Sequence, residues 1–131
     1  MQIAAAGGVI FDEHGRLLLI LRSTPPGAFT WSVPGGKCEP GEQPDAACVR
    51  EVGEETGLTV RVVRLVGQVC RPAPGGGEYR IDDFLCRVVE GTLRAGDDAA
   101  DAGWFDLAAM RRLPLTAGLF DTLAAWRLLP E

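Results

Sequence analysis

The chain has 131 residues, of which 47% are hydrophobic, and a formal net charge of −5. That length and apolar share suit one domain with its own core and argue against disorder. The acidic balance argues against a general nucleic-acid binder, which carries a basic face, and no apolar run approaches the roughly 20 residues of a membrane-spanning helix.

In chain order, "IAAAGGVIF" and "RLLLILR" flank "DEHG", a glycine-ended turn, and predict a β-hairpin. The start lacks a basic n-region, so no signal peptide is expected and the protein is placed in the cytoplasm. "STPPGAF" reads as a loop, "TWSVP" as one short strand and "GGKCEPGEQP" as a second loop. Helical character begins at Asp45, with Gln43 or Asp45 as the starting residue, Pro44 suiting the first turn and Gly57 the stop. "LTVRVVRLVGQVC" and "YRIDDFLCRVV" are rich in β-branched residues and predict strands around the turn "RPAPGGGE". "EGTLRAGDDAADAG" reads as irregular and acidic, and "WFDL" as a short strand. The tail "TAGLFDTLAAWRLL" spaces Leu119, Leu123 and Trp126 for a helix, with Thr116 as its N-cap. Strands, helix, strands, helix without repeats predict one α/β or α+β sandwich over residues 1–131.

The four cysteines, Cys38, Cys48, Cys70 and Cys86, form no C-x-x-C pair, and the single histidine, His14, is distant in sequence. They read as reduced, mostly buried thiols rather than zinc ligands.

The stretch "REVGEETGL" poses the chemical question. At about 100° per residue, Glu51, Glu54 and Glu55 fall within roughly 100° of arc. Ala47 and Cys48 share that side and would leave space beside the carboxylates. Val49, Val52 and Thr56 are expected to face the core, and Gly53 to permit close strand contact. A solvated acidic face is one reading. Against it, Arg50 is the only cation in the helix, and the glutamates crowd the end where the helix dipole disfavours negative charge. A hard divalent cation with oxygen ligands would relieve the repulsion and could clamp a pyrophosphate.

Residues 36–58, "GKCEPGEQPDAACVREVGEETGL", resemble the Nudix signature. Gly36, Glu42, Arg50, Glu51, Glu54, Glu55 and Gly57 occupy its fixed positions, and Val52 and Leu58 its hydrophobic ones. "RLLLILR", "WSVPGG" and "WFDL" are similar to common flanks. The resemblance implies a Nudix α/β/α sandwich with a central mixed β-sheet, in which the box forms a loop–helix–loop. It implies hydrolysis of a pyrophosphate bond in a nucleoside diphosphate linked to another group, aided by Mg2+ or Mn2+. Metal would be held by Glu51, Glu54, Glu55 and the Gly36 carbonyl. Arg50 would orient a glutamate, and Glu42 would be structural or act from outside the ligand set. The base would be a box glutamate or a carboxylate among Asp97, Asp98 and Asp101, of which Asp98 is favoured. Arg22, Lys37 and Arg80 are the candidate phosphate contacts, and Tyr79 or Phe84 the candidate stacking rings. Trp31, Trp104 and Trp126 read as packing residues.

The implied partner is a small nucleotide rather than a nucleic-acid polymer or a membrane, and homodimers are common in the family. ADP-ribose-type substrates head the expectations. A nucleoside triphosphate pyrophosphohydrolase that cleanses the nucleotide pool is the alternative, and a non-catalytic nucleotide sensor is the alternative from another class.

Overall fold

The computed structural model describes residues 1–25, 27–96 and 98–131. Among the described residues, seven strands and three helices follow in chain order: β1 (Gln2–Ile10), β2 (Leu17–Arg22), β3 (Trp31–Ser32), β4 (Gly35–Lys37), α1 (Pro44–Thr56), β5 (Leu58–Pro72), β6 (Glu78–Gly91), β7 (Ala99–Phe105), α2 (Leu107–Met110) and α3 (Leu119–Ala125). They build a four-stranded sheet ordered β4-β1-β6-β5 and a three-stranded sheet ordered β3-β2-β7. The larger sheet is mixed: β1 runs parallel to β6, while β4 and β5 are antiparallel to their neighbours. The expected sandwich with a mixed central sheet is therefore present.

Two cores lie on opposite faces of the larger sheet. Ala6, Ile10, Phe84 and Cys86 pack with Cys48 and Val52 of α1. Val9 and Leu85 pack with Leu17, Leu19, Met110, Leu119 and Leu123 on the other face. Alternation along each strand divides the residues between these cores. β2 reads as an unbroken apolar run because Leu18 joins the first core while Leu17 and Leu19 join the second. The small residues of β1 let α1 approach: a Cβ on Gly8 would lie 3.1 Å from Val52 and 3.3 Å from Cys48.

Several expectations are corrected. The predicted β1–β2 hairpin closes with a single bridge, Phe11 to Leu17, after which the strands enter different sheets. Gly35–Lys37, expected within a loop, forms β4 against β1. Ala99–Gly103, expected to be irregular, belongs to β7, because Leu19–Arg22 of β2 offer it a ladder. The α3 N-cap is Gly118 in the left-handed region rather than Thr116, whose Oγ1 lies 2.9 Å from Thr30 Oγ1. The short α2 went unforeseen, and Asp106 caps it by accepting from the Ala109 N–H at 2.8 Å. The helix α1 opens on Gln43 with Pro44 in its first turn and ends at Gly57, φ 74°. Among the described residues, no helix is long and apolar enough to cross a membrane. All four cysteines are free, but Cys70 is exposed and Cys38 half-buried, so the expectation of burial holds for Cys48 and Cys86.

A carboxylate-lined cleft as candidate active site

The two-glycine strand β4 brings α1 to the cleft. Gly36 faces Glu51: a Cβ there would lie 2.5 Å from the Glu51 carboxyl carbon. In its observed position the carboxylate occupies the space that a side chain at position 36 would need. The neighbouring Gly35 N–H donates to Glu55 Oε1 at 2.8 Å. Gly36 thus leaves space for the Glu51 carboxylate, whereas a side chain at Gly35 would strike the Ala6 carbonyl of β1, and Glu55 is held there by the backbone N–H.

Burial sorts the three glutamates along the helix arc. Glu55 is 7% exposed, while the side chains of Glu51 and Glu54 are 17% and 42% exposed. The sheet-facing arc of α1 is centred near Cys48 and Val52, so it takes in Glu55 and leaves Glu54 towards solvent. Ala47 and Cys48 do not leave space beside the carboxylates, as the sequence suggested; both are fully buried in the core. Their stripe starts in the core and emerges at the cleft. Gly53 does not mediate close strand contact either: a Cβ there would meet nothing nearer than Leu58 O at 3.8 Å.

Arg50 ties the acidic groups together. Its Nε and Nη2 each donate to Glu42 at 2.9 Å, one to each carboxyl oxygen. Its Nη1 donates to Glu51 Oε1 at 2.8 Å and to both Glu54 oxygens at 3.3 Å. Nη2 also donates to the Lys37 carbonyl at 3.0 Å, fixing the loop to the helix. The bidentate Arg50 contact pulls the Glu42 pKa down to about 2. Burial pushes Glu51 upward. Burial also raises Glu55 to about 8, against the Gly35 hydrogen bond and the charge of Arg22, which oppose the shift.

The cleft has a volume of about 830 Å³. Glu51, Glu55, Gly36, Arg22, Lys37, Tyr79 and Asp98 all line it. Asp98 is positioned by its carbonyl, which accepts from the Ser23 N–H at 3.3 Å and from the Ser23 hydroxyl. Its charge contributes to the raised Glu55 pKa, which places the two carboxylates within electrostatic reach. The Lys37 ammonium lies 5.8 Å from the Tyr79 ring centroid.

Other candidates lie elsewhere. Glu54 and Arg50 border the cleft without lining it, and Arg80 lines a separate hollow of about 250 Å³. Phe84 is not available as a stacking ring, because it is buried in the core beneath α1. Asp101 lies in β7, paired with Leu21 of β2, and Asp97 lies outside the described residues. Trp31 stacks edge-on against Phe105 at 5.0 Å, as a packing residue would. Sequence reading missed Arg71 and Asp83, both of which line the cleft. Their only sequence signal was strand alternation once the β5–β6 register is known.

Glu51 and Glu55 bring carboxylate oxygens, the hard donors that magnesium or manganese prefer, into the cleft beside β4. Among the described residues, no three His, Cys, Asp or Glu side chains group closely enough to form a cage on their own. The donor set suits a cation that retains waters or shares ligands with a substrate.

The chain is similar to known proteins over most of its length. The NUDIX domain matches residues 1–126. The ADP-ribose pyrophosphatase of Methanocaldococcus jannaschii is 39% identical over 112 residues, covering 84% of this chain and 66% of that protein. The putative 8-oxo-dGTP diphosphatase of Bacillus subtilis is 36% identical over 116 residues, covering 88% and 72%. The crystal structure of a MutT NUDIX hydrolase from Burkholderia pseudomallei superimposes with a TM-score of 0.83 at 28% identity, covering 95% of this chain and 97% of that one. The chain thus spans about two thirds of the length of these two curated relatives, and less than half of several others it matches.

Proposed function

The chain belongs to the NUDIX family, and from that premise we propose that it is a divalent-metal-dependent hydrolase of a pyrophosphate bond in a nucleoside diphosphate linked to another group. One observation carries this reading: Glu51 and Glu55 reach the cleft across Gly36 and Gly35, while Arg50 holds the surrounding carboxylates. The residues fit a hard cation on two counts. The Gly36 position leaves room for the Glu51 carboxylate, and buried Glu55 needs a positive charge beside it to ionise at neutral pH.

Glu51, Glu55 and the Gly36 carbonyl would hold Mg2+ or Mn2+, with Glu54 joining from the outer side of the helix. When bound, the cation supplies charge neutralisation for the phosphate oxygens and lowers the pKa of a coordinated water. The chain supplies the rest. Arg50 fixes the Glu51 carboxylate through Oε1. Arg22 and Lys37 bring positive charge to a cleft that must receive a polyanion. Asp98, which lines the cleft, or a box glutamate such as Glu55 would take the proton of an attacking water. ADP-ribose-type substrates are favoured by the 39% identity to an ADP-ribose pyrophosphatase.

A substrate panel tests the reading: ADP-ribose, NADH, diadenosine polyphosphates and normal and oxidised nucleoside triphosphates, each with magnesium and with chelator. We expect turnover that disappears with chelator. Glu54→Gln should lose most of that turnover and still fold, because the side chain is largely solvent-facing. Wild-type rates in Glu54→Gln would remove Glu54 from the metal set, and metal-independent turnover would sink the proposal itself.

A further inference from the structure

Asp83 is an oddity of the cleft floor. Along β6, Tyr79, Ile81 and Asp83 alternate onto the face turned away from α1. Register places Asp83 between Gly7 of β1 and Gly67 of β5. Neither neighbour has a side chain to cover the carboxyl. Any side-chain carbon on Gly7 would collide with Asp83 Oδ1, and the Gly67 position is filled by the Trp126 ring. Asp83 is only 7% exposed, and its Oδ1 has no hydrogen-bond partner among the described residues. An orphaned buried carboxyl oxygen is costly, so its presence in a cleft calls for a donor.

The surroundings narrow that donor. Val69, Ile81 and Leu119 give the cleft apolar walls near Asp83. A phosphate is a poor partner for a carboxyl group, because their like charges repel. Arg71, on the cleft side of β5, draws the Asp83 pKa down, but burial outweighs it and lifts the group to about 7. A planar ring with apolar faces and an N–H edge satisfies both the walls and the oxygen. The distance also suits it. Gly35, which holds Glu55, pairs with Gly7, and Gly7 pairs with Asp83. Two strand spacings put the Asp83 backbone about 10 Å from Gly35. That leaves room for a sugar between the carboxylate pair and the base.

We propose that Asp83 reads the nucleobase of the substrate, accepting a hydrogen bond from an exocyclic amino group. This rests on the hydrolase reading of the same cleft and adds a preference for amino-bearing bases over their amino-free counterparts.

The test measures kcat/KM for ADP-ribose against inosine diphosphate ribose, and for GTP against ITP. Wild type and Asp83→Asn are compared, with Asp83→Ser as a second variant should the amide fail to fold. Wild type should favour the amino-bearing member of at least one pair by about tenfold or more. Asp83→Asn should compress that ratio, because a rotatable amide can present either a donor or an acceptor. An unchanged ratio in both variants, or a wild type indifferent to both pairs, overturns the assignment. A shift in ribose-over-deoxyribose preference instead would make Asp83 a sugar reader and overturn it too. If the wild type hydrolyses no nucleotide, the hydrolase reading fails. Calorimetric binding of the same pairs then decides Asp83 separately: a base preference lost in Asp83→Asn supports it, and equal affinities in the wild type reject it.

Discussion

At the scale of one residue, Arg50 is the hub of the site. A single guanidinium serves Glu42 with two parallel bonds, Glu51 with one short bond, and the Lys37 carbonyl with another. Lysine carries the same charge but offers a point donor where a planar fork is needed. Arg50→Lys should therefore release Glu42 and the 37–42 loop and loosen the Glu51 carboxylate. We expect a loss of about 10- to 100-fold in metal affinity or activity, the range typical for a group that orients a metal ligand. Metal titration followed by initial rates measures it. A variant with native metal affinity and rate would show that Glu51 is positioned by burial alone. The contacts of Arg50 were legible because its acidic partners lie nearby in sequence. The surroundings of Asp83 were not, because its neighbours Gly7 and Gly67 meet it only through strand register.

At the scale of the element, α1 shows what a linear motif conveys and what it hides. Its start at Pro44 and its stop at Gly57 follow from local chemistry and were legible. The three glutamates were legible as one arc, but not their unequal burial, which depends on how the helix lies against β1 and β4. The same geometry frees Gly53. It has no positive φ, and a Cβ there meets only Leu58 O, at an ordinary 3.8 Å. Glycine in a helix interior costs about 0.5–1 kcal/mol relative to alanine. Gly53→Ala should stabilise the protein by about that amount and leave turnover intact. Chemical denaturation and the substrate assay check the two halves separately, and a destabilised variant would show that the last turn of α1 needs backbone freedom. The hairpin expectation failed for a similar reason. "DEHG" does turn the chain, with Gly15 at φ 75°, but nothing local states that β1 will pair with β4 and β6 instead of β2.

At the scale of the whole molecule, the cleft makes stability depend on pH. Burial lifts Glu55 to about 8 and Asp83 to about 7, from ordinary values of 4.5 and 3.8. A carboxyl group raised on folding favours the folded state while protonated. Its contribution is fully present below the unfolded pKa and is lost as pH rises through the folded one. Glu42 acts in the opposite sense: held near 2 by Arg50, it contributes above 4.5 and loses that contribution as pH falls towards 2. Metal-free protein should therefore be most stable in mildly acidic solution and should soften between about pH 4.5 and 8. Glu55→Gln removes one of the groups responsible, so its melting temperature should fall less steeply over that interval. Magnesium should reverse the loss in the wild type at pH 8, because a cation binding the ionised carboxylates stabilises the folded state by mass action. Thermal melts from pH 5 to 9, in chelator and in magnesium, measure all three slopes. If the wild type and Glu55→Gln lost stability in parallel, burial of Glu55 could not be what holds its proton. The cleft would then be ionised and already wet before any cation arrives, and the electrostatic need that links Glu55 to a metal would disappear with it.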